Sequence, residues 1–474
     1  MNKQLPDPET AVSQISDGAT IAIGGFGLPG APIELMGALA RTTTTDLVII
    51  ANNGAMFDWQ LGSLLEQGRI RRIIASHIGL NPVLEHAYRS GLVEVELIPQ
   101  GTMVERLRAA GAGLPAFFTP TGVGTVVEHG GLPWRFDSHG KTVLASPPRE
   151  TRTFAGRRYV LEEALRPDFA LVRAQRGDRH GNLAFHQSAR NFNPIWATAA
   201  RVTLAEVEQL VEPGTIDPDQ VHTPGVCVDA VVEIGTEGKW HELPMRTQGG
   251  SAQLLRDPRH RIARRAALEF EEGTCVNLGV GIPSLAASYT PSNIQVILHS
   301  ENGVLGLGPP PNLAQASFDL TDASKCAATI IEGGAFLDSA AAFSIIRNGR
   351  LDLTILGAMQ VSERGDLANW IVPGKSVAGI GGAMDLAVGA RRVVVTMLHN
   401  DNEGVSKVVD ECTYPLTAAG VVDRIITEKA VLDVTPDGLV LRELAPGFCV
   451  DDVIAATKAR LLVPSNPLRM SGYR

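Results

Sequence analysis

The stretch DGATIAIGGFGLPGAP at residues 17–32 decides the fold, because a shorter form of it returns as EGTCVNLGVGIP at 272–283. Each copy has the pattern of a strand, a glycine-rich turn and a helix opened by proline, where the missing N–H is tolerated. A strand followed by a helix in this way is typical of an α/β unit. The chain therefore begins the same kind of unit twice.

Two further pairs of segments follow in the same order. LVIIANNG at 47–54 corresponds to VILHSENG at 296–303, and GNLA at 181–184 corresponds to GDLA at 365–368. Between the halves, EIGTEGKWHELPMRTQGG is polar and has little periodicity, as expected of a linker. We therefore predict two related α/β domains, with residues 1–232 as the first, 233–256 as the linker and 257–474 as the second.

Apolar runs alternate with helical segments in the first half. The predicted helices include IELMGALA and TMVERLRAAG, and the predicted strands are DLVIIAN, RRIIASH, VEVELIP, FALVRAQ and RVTLAEV. This alternation predicts a fold of class α/β, two open domains each with a largely parallel sheet flanked by helices. A β-rich excursion is predicted over 134–159, and a helix over 258–270 opens the second half.

Composition restricts the classes of function. A chain of 474 residues is long for one core, and 44% hydrophobic with 20% charged residues is ordinary for a globular protein. The net charge of -9 gives no reason to expect nucleic acid or an anionic membrane as a partner. Five scattered cysteines without CxxC spacing suggest neither a disulfide framework nor a zinc site. We expect a cytoplasmic protein, since the start MNKQLPDPET lacks the features of a signal peptide.

One carboxylate stands out by its position. The apolar run Ile294–Leu298 predicts a buried parallel strand, Glu301 follows where that strand ends, and Gly303 allows a tight turn. Parallel sheets bind their ligands at the carboxyl ends of the strands. In the repeat, Asn52 occupies the position of Glu301, so an acid stands in one half where a neutral amide stands in the other. A group used once per molecule explains that asymmetry, whereas a solvated turn glutamate is the simpler alternative.

The stretch LHSENGVLG around Glu301 resembles the active-site signature of the family I coenzyme A transferases, the 3-oxoacid group. The glycine-rich stretch at residues 17–32 resembles a second signature of that family. The resemblance continues through PQGTMVERLRAAGAGLPAFFTPTGVGT, SARNFNP, LGAMQVSERGDLANWIVPGK and RIITEKAVLDV, and covers nearly the whole chain. Such enzymes are often built from separate α and β subunits, so this chain resembles a fusion of the two.

The resemblance implies a reaction and a set of substrates. Glu301 would attack an acyl-CoA and then carry CoA as a glutamyl thioester in a ping-pong mechanism. Succinyl-CoA is the first expected donor and a 3-oxoacid such as acetoacetate the first acceptor; acetate, butyrate and 3-oxoadipate are alternative acids. Coenzyme A enters as a substrate thioester, and neither a metal nor a permanently bound cofactor is needed. The expected partners are therefore an acyl-CoA and a small carboxylic acid, and the expected assembly is a homodimer or homotetramer.

The resemblance also implies roles for other residues. Asn277 and the backbone N–H at Gly382 would stabilise an oxyanion, and Gln100 would face the reacting carboxylate from the first half. The residues implied in substrate or CoA binding are Gly24, Gly25, Phe26, Gly27, Gly30, Asn52, Asn53, Asn302, Gly381, Ala383 and Lys375. For Asn277 and Gln100 the alternative is a capping or turn amide, and for the glycine loop it is a tight strand-to-helix turn without a ligand.

Two other functions stay open from the sequence. GGFGLPG contains a formal G-x-G-x-x-G, which would suit an NAD-dependent dehydrogenase. Pro29 and Pro32 interrupt that motif. A dinucleotide site also needs an acidic residue at the end of a strand, whereas Asp46 precedes a strand. A non-catalytic binding protein on the same fold is the second alternative. The histidines His77, His299 and His399 lie near strand ends without HExxH spacing, so metal ligation is not expected.

Overall fold

The computed structural model describes residues 2–54, 61–79, 81–235, 257–312, 314–374 and 377–472. Two helix-flanked sheets organise these residues, one in each half of the chain, with central strands that run parallel. The first half contains strands β1 Thr20–Ile23, β2 Leu47–Asn53, β3 Ile70–His77, β4 Glu94–Leu97, β5 Ala116–Thr119, β6 Pro133–Phe136, β7 Thr142–Ala145, β8 Thr151–Phe154, β9 Arg157–Glu163, β10 Phe169–Asp178, β11 Leu183–Ala184, β12 Val202–Val211 and β13 Ala230–Glu233.

The second half contributes the remaining strands. They are β14 Cys275–Leu278, β15 Ile297–Ser300, β16 Val304–Leu307, β17 Ile330–Phe336, β18 Leu353–Gly357, β19 Gln360–Ser362, β20 Leu367–Ala368, β21 Val393–Thr396, β22 Val408–Val409, β23 Arg424–Ile426, β24 Ala430–Thr435, β25 Gly438–Leu444, β26 Leu461–Leu462 and β27 Leu468–Arg469.

The described α-helices connect these strands. They are α1 Pro8–Val12, α2 Ile33–Arg41, α3 Leu61–Glu66, α4 Pro82–Arg89, α5 Gln100–Gly111, α6 Val126–His129, α7 Asn193–Ala199, α8 Pro258–Ala266, α9 Ile282–Leu285, α10 Ser339–Arg347, α11 Ala383–Gly389 and α12 Val450–Ala456. Helix α8 continues into a 3₁₀ turn over Ala267–Glu269, so the helix predicted at the start of the second half is confirmed. The β-rich excursion predicted near 134–159 is also confirmed, by β6 to β9.

The two halves share the order of their central strands. The first sheet runs β13-β12-β10-β1-β2-β3-β4, and the second contains the matching order β21-β18-β14-β15. Ile21 of β1 pairs in parallel with Ile49 and Phe169, while Val276 of β14 pairs in parallel with Leu298 and Leu353. These registers reproduce the alignment of the repeated sequence segments, so the predicted relation between the halves is confirmed residue by residue.

The halves diverge after the strand that carries Asn52 or Glu301. Strand β2 continues to two more parallel strands, β3 and β4. After strand β15 the chain instead forms a hairpin, so that β15 pairs antiparallel with β16, which pairs antiparallel with β17. The second sheet therefore mixes parallel and antiparallel pairs, whereas the main strands of the first sheet are parallel throughout.

The prediction of a buried strand over residues 294–298 is wrong in its bounds and its burial. The strand begins at Ile297, whose side chain is 40% exposed. Ile294, Val296 and Leu298 line a large cavity in the second half. Periodicity identifies an apolar run, but it does not show whether protein or open space covers that run.

The two halves share one hydrophobic core at their junction. Met103 and Leu107 of α5 belong to the same buried cluster as Phe343 and Ile346 of α10. A shared core of this kind fixes the relative position of helices from both halves, because packed interiors resist deformation. Of the predicted linker, residues 236–256 lie outside the described residues.

Candidate active site

Glu301 lies in the tight turn between β15 and β16, where the sequence pattern placed it. The N–H of Gly303 donates to the carbonyl of Ser300 at 3.0 Å and closes this turn. Gly303 has φ +103, and a Cβ there would lie 2.2 Å from the carbonyl oxygen of Leu337. Only glycine fits such a position. Asn302 is buried and its amide donates to the carbonyl of Thr321 at 2.7 Å, which anchors the turn on its other side.

The junction between the halves brings two other predicted residues to Glu301. Gln100 opens α5 in the first half and is 2% exposed, while Gly382 immediately precedes α11 in the second. A Cβ placed on Gly382 would lie 3.1 Å from Oε1 of Gln100 and 3.6 Å from Cγ of Glu301. The backbone N–H of Gln100 also donates to the carbonyl of Gly381 at 2.9 Å. The site thus forms only where the two halves meet.

Asn277 approaches the same carboxylate from β14. Its Nδ2 donates to the carbonyl of His299 at 3.0 Å, and the residue is 1% exposed. Its buried Oδ1 has no hydrogen-bond partner among the described residues. A buried polar atom without a partner is rare and often marks a place where a ligand or water completes the bonding.

Burial controls the protonation of Glu301. Loss of water around the partly buried carboxyl raises its pKa above the usual range. A backbone N–H and the Asn277 side chain bond to the carboxylate and lower the pKa, whereas the nearby charge of Asp322 raises it. The amide of Asn277 therefore helps to keep Glu301 ionised in a site that disfavours charge.

The glycine loop packs mainly against its own half. A Cβ on Gly24 would lie 1.9 Å from Asn193, one on Gly25 would lie 2.9 Å from Ala31, and one on Gly30 would lie 2.4 Å from the carbonyl of Ala189. Phe26 stacks on Phe192 with ring centroids 5.9 Å apart. Close packing therefore explains why glycine stands at these loop positions, since a side chain would collide with its neighbours.

Gly27 is the loop residue that faces the other half. A Cβ there would lie 3.2 Å from Cδ of Lys325, and its N–H donates to Oδ1 of Asn53 at 3.2 Å. Asn53 also accepts a bond from Asn52, which is 2% exposed and accepts from the Ser76 hydroxyl at 2.7 Å. The structure thus places Asn52 and Asn53 in a hydrogen-bonded support for the loop.

The remaining predicted residues surround the start of α11. The N–H of Gly381 donates to the carbonyl of Ser76 at 2.9 Å, which joins this loop to β3 of the first half. Ala383 is the first residue of α11, where backbone N–H groups have no partner within the helix. Lys375 lies outside the described residues.

A cavity of about 1830 Å³ lies in the second half, and Glu301 is not among the residues that line it. Its walls are largely apolar and include Leu298, in the strand that precedes Glu301, and Asp322, whose charge acts on Glu301. Arg259 and Lys407 supply positive charge to the same walls. No residue of the glycine loop over 24–30 is among the residues that line this cavity.

Sequence reasoning missed two charged residues at this junction, the partly buried Lys325 and the buried Asp385. Lys325 follows the turn at Asp322, has φ +67, and burial lowers its pKa to about 8. Asp385 is 1% exposed in the first turn of α11 and accepts hydrogen bonds from both halves. Neither residue stands in a motif or a charge pattern, so only the folded chain shows its environment.

The histidines near strand ends have structural surroundings. His299 is buried, its pKa is lowered to about 4 by burial, and its Nε2 lies 3.2 Å from the carbonyl of Ala342. His399 is buried between the hydroxyls of Thr427 and Thr457. Across the described part of the chain, no group of three or more His, Cys, Asp or Glu side chains is arranged to hold a metal ion.

At the junction of the two halves, the Glu301 carboxyl lies near Gln100 and near Gly382 at the start of helix α11. The coenzyme A transferase family matches residues 6–234 and 259–456, and the chain belongs to that family. It is a CoA transferase. This membership sets aside the dehydrogenase and non-catalytic interpretations of the glycine loop and fold.

Full-length relatives agree with the family. The chain is 49% identical over 468 residues, 98% of its length and 90% of the relative's, to the human succinyl-CoA:3-ketoacid coenzyme A transferase 2, mitochondrial. It is 47% identical over 465 residues to the mouse transferase 2A, with 97% and 89% covered. The chain also matches one subunit of the Xanthomonas campestris transferase of that name, at 45% identity over 248 residues, 52% of this chain and 95% of the relative.

Solved structures show the same fold. The acyl-CoA transferase apoenzyme of Escherichia coli O157:H7 superposes with a TM-score of 0.81 at 23% identity, covering 99% of this chain and 96% of that one. The α subunit of citrate lyase from Streptococcus mutans gives a TM-score of 0.59 at 16% identity, covering 98% and 83%. The CoA-transferase fold expected from the sequence is confirmed.

The expectation of a cytoplasmic location is wrong. The human and mouse relatives that match nearly the whole chain carry a mitochondrial designation in their names. The absence of a recognisable signal at the start of a sequence does not identify a compartment. Separately, no helix in the described ranges is long and apolar enough to cross a membrane.

Proposed function

We propose that this chain transfers CoA from succinyl-CoA to a 3-oxoacid such as acetoacetate, with the Glu301 carboxylate as the nucleophile. The observation that carries the proposal is the meeting of Glu301 with Gln100 and Gly382 at the junction of the two halves. The names of the full-length relatives support this pair of substrates.

The first half-reaction loads CoA onto the enzyme. A carboxylate oxygen of Glu301 bonds to the thioester carbonyl carbon, the C–S bond breaks, and CoA leaves as the thiolate. Glu301 and the acyl group are then joined as a mixed anhydride. The thiolate then attacks the Glu301 carbonyl carbon of this anhydride. Succinate leaves as a carboxylate, and CoA remains bound to Glu301 as a thioester.

The second half-reaction repeats these steps in reverse. The carboxylate of the 3-oxoacid attacks the glutamyl thioester and releases CoA thiolate, which gives a new mixed anhydride. The thiolate attacks the 3-oxoacyl carbonyl carbon and restores the Glu301 carboxylate. Each step exchanges one acyl bond for another, so the thioester energy is conserved and no external oxidant, reductant or metal is required.

The oxyanion of each tetrahedral intermediate needs preorganised donors, each contributing roughly 3 kcal/mol where measured. We expect the backbone N–H groups of Gly382 and Ala383 to be these donors, because the first N–H groups of a helix have no partner within it. The Asn277 amide bonds to Glu301 itself and favours its ionised form. Gln100 closes the site from the first half.

The cavity in the second half suits the CoA portion of the donor. Its apolar walls, including Val280, Pro283 and Ile294, fit a pantetheine chain, and Arg259 and Lys407 provide cations for phosphates. This arrangement gives the acyl group access to Glu301 while the long carrier lies along the second half. The loop residues implied in CoA binding stay a prediction, as does the homodimeric or homotetrameric assembly, which sedimentation velocity would measure.

The covalent intermediate is the decisive test. Incubation with succinyl-CoA and no acceptor should leave CoA attached to the peptide that contains Glu301, as detected by mass spectrometry after proteolysis. Initial rates with both substrates varied should give parallel lines. Intersecting lines without a trapped adduct would reject Glu301 as a covalent carrier.

The identity of the acid is tested separately. Wild-type enzyme loaded with CoA is offered acetoacetate, 3-oxoadipate, acetate and butyrate, and the rate of adduct loss is measured for each. The proposal expects acetoacetate to discharge the adduct with the highest kcat/KM. A higher value for acetate or butyrate would keep the covalent mechanism but replace the proposed acceptor.

A further inference from the structure

We propose that Asp385 is a positioning residue that holds the two halves of the active site at their working separation. The residue lies in the first turn of α11, directly after the predicted donors at Gly382 and Ala383. Its side chain is buried at the junction of the two halves. The inference rests on the proposed role of Glu301 and adds a residue to which the sequence signatures assign no function.

The Asp385 carboxylate bonds to both halves at once. Its Oδ2 accepts a hydrogen bond from the backbone N–H of Gly101 at 2.9 Å. Its Oδ1 accepts from the hydroxyl of Thr121 at 3.0 Å and from Nε of Arg347 at 3.0 Å. Gly101 and Thr121 belong to the first half, whereas Arg347 ends α10 in the second.

Helix α5 depends on this carboxylate for its N-terminal cap. Pro99 stands at the N-cap position and provides no side-chain hydrogen bond. The first N–H groups of a helix lack partners within it, and a negative charge is favourable at that end. Asp385 supplies both the acceptor and the charge from the other half of the chain.

The close approach requires glycine at position 101. A Cβ on Gly101 would lie 2.5 Å from Oδ1 of Asp385 and 2.5 Å from Cδ1 of Phe343. The start of α5 therefore packs directly against the Asp385 carboxylate and against Phe343 of α10. Arg347 balances the buried charge and also reaches Oγ1 of Thr102 at 3.5 Å.

These contacts set the geometry around Glu301. Gln100 precedes Gly101 and projects toward Gly382, while Asp385 follows Gly382 in the first turn of α11. The distance between Gln100 and Gly382 is therefore determined by the same bonds that join Gly101 to Asp385. A misplacement of about 1 Å is enough to cost on the order of 100-fold in rate when groups must be aligned for reaction.

The test compares Asp385→Asn with Thr121→Val in the full-length chain. In Asp385→Asn the side-chain NH2 would face the donors of Thr121 and Arg347, so kcat should fall at least about 10-fold. The KM for succinyl-CoA should change less than about 2-fold, because the cavity walls are untouched. Thr121→Val removes a single donor without burying a new charge, and should lower kcat in the same direction by roughly 2- to 5-fold.

Glu206→Gln is the matched control. Glu206 is also a buried carboxylate that accepts from a helix start, the N–H of Leu35 at 2.8 Å, and pairs with an arginine, Arg173 at 3.3 Å. All of these contacts lie within the first half. Its variant should keep kcat within about 2-fold of wild type, since no distance across the junction changes.

The rate of adduct formation on Glu301 separates the two proposals. Wild type that forms no adduct would contradict the covalent mechanism, and the kcat comparison would still measure the role of Asp385. If wild type forms the adduct, and Thr121→Val and any folded Asp385→Asn form it at the same rate, the positioning role of Asp385 would be overturned. An equal fall of kcat in Glu206→Gln would also overturn it, because general destabilisation would then explain the loss.

Discussion

Asn52 and Glu301 occupy matching positions in the two halves, yet their surroundings differ. The Asn52 side chain accepts a hydrogen bond from the Ser76 hydroxyl and donates one to Asn53. Glu301 is partly buried, and its pKa is raised because few groups replace the lost water. The same strand end thus supports the glycine loop in one half and carries a carboxyl group of raised pKa in the other.

The difference arises from the element that comes after the shared strand. Strand β2 is covered by the parallel strand β3, which brings Ser76 onto Asn52. Strand β15 is followed by a hairpin and pairs antiparallel with β16, and its residue Leu298 lines the cavity. The repeat therefore shows that matching strand ends can differ both in charge and in the strand that follows them.

Replacement of the carboxylate should have the largest effect. Glu301→Gln should lower turnover at least about 10³-fold, since a nucleophile has no substitute in the site. Asn52→Asp, the reciprocal change, should create no activity and should destabilise the fold, because the new carboxylate cannot donate to Asn53. Residual turnover above one per cent in Glu301→Gln would place the chemistry on another residue.

Glu301→Gln should also change stability with pH in a defined direction. The folded pKa of Glu301 is raised, so the protonated acid is favoured on folding, and wild type loses stability as pH rises from its unfolded pKa of about 4.3 through the folded value. The variant avoids this loss and should be more stable at neutral pH by about 0.5–2 kcal/mol. Equal stabilities at all pH values would contradict the burial of the charge.

Division of the chain should abolish activity until the halves are recombined. We propose the boundaries 1–232 and 257–474 with a linker between them, and a cut near residue 240 should cost only the effective concentration given by tethering. Each half alone should be inactive, because Gln100 and Glu301 then lie on different chains. Assay of the halves singly and mixed measures this, and full activity from the second half alone would refute the shared site.

Addition of a methyl group at Gly382 should have an intermediate effect. Gly382 has φ -85, which alanine adopts readily, but its Cβ would displace Oε1 of Gln100 from a distance of 3.1 Å. Gly382→Ala should lower kcat/KM about 10-fold. Gly62→Ala, where a Cβ meets nothing within 4 Å, is the control and should keep full activity. Equal activities of the two variants would remove Gly382 from the site.

Truncation of Asn277 should move the pH profile. Its bond lowers the pKa of Glu301, so Asn277→Ala should raise that pKa and shift the acid limb of kcat/KM to higher pH. At fixed pH near the limb, the rate should fall more than at high pH. Asn348→Ala, an exposed residue at the end of α10, should leave the limb in place. An unchanged limb in Asn277→Ala would contradict the contact.

A change at Lys325 should act on the stability of the fold. Burial lowers its pKa to about 8 from 10.5, so the charged form costs stability at neutral pH. Lys325→Met should stabilise the fold by roughly 1–3 kcal/mol below pH 8, and the gain should vanish as pH rises toward 10.5. Exposed Lys141→Met should show no such dependence. Thermal unfolding over this pH range measures both variants, and a gain independent of pH would show that the charge is not involved.

Local signals predicted a large part of the fold. The strands of the first half, the helix that starts at Pro258 and the β-rich excursion all appear, because periodicity and turn residues act over a few neighbouring positions. The predicted strand at 294–298 was misplaced because its apolar residues line a cavity, and composition does not distinguish a covered face from an open one.

The sequence by itself determined the repeat, the turn at Gly303 and the single acid at the repeated strand end, since these depend on residue type and spacing along the chain. The tertiary structure alone decided which distant residues meet that acid. Gln100 and Gly382 become neighbours, and Asp385 caps a helix of the other half, only because the two halves pack around a shared core. Such contacts depend on how whole helices pack, and no pattern within one segment encodes that distance.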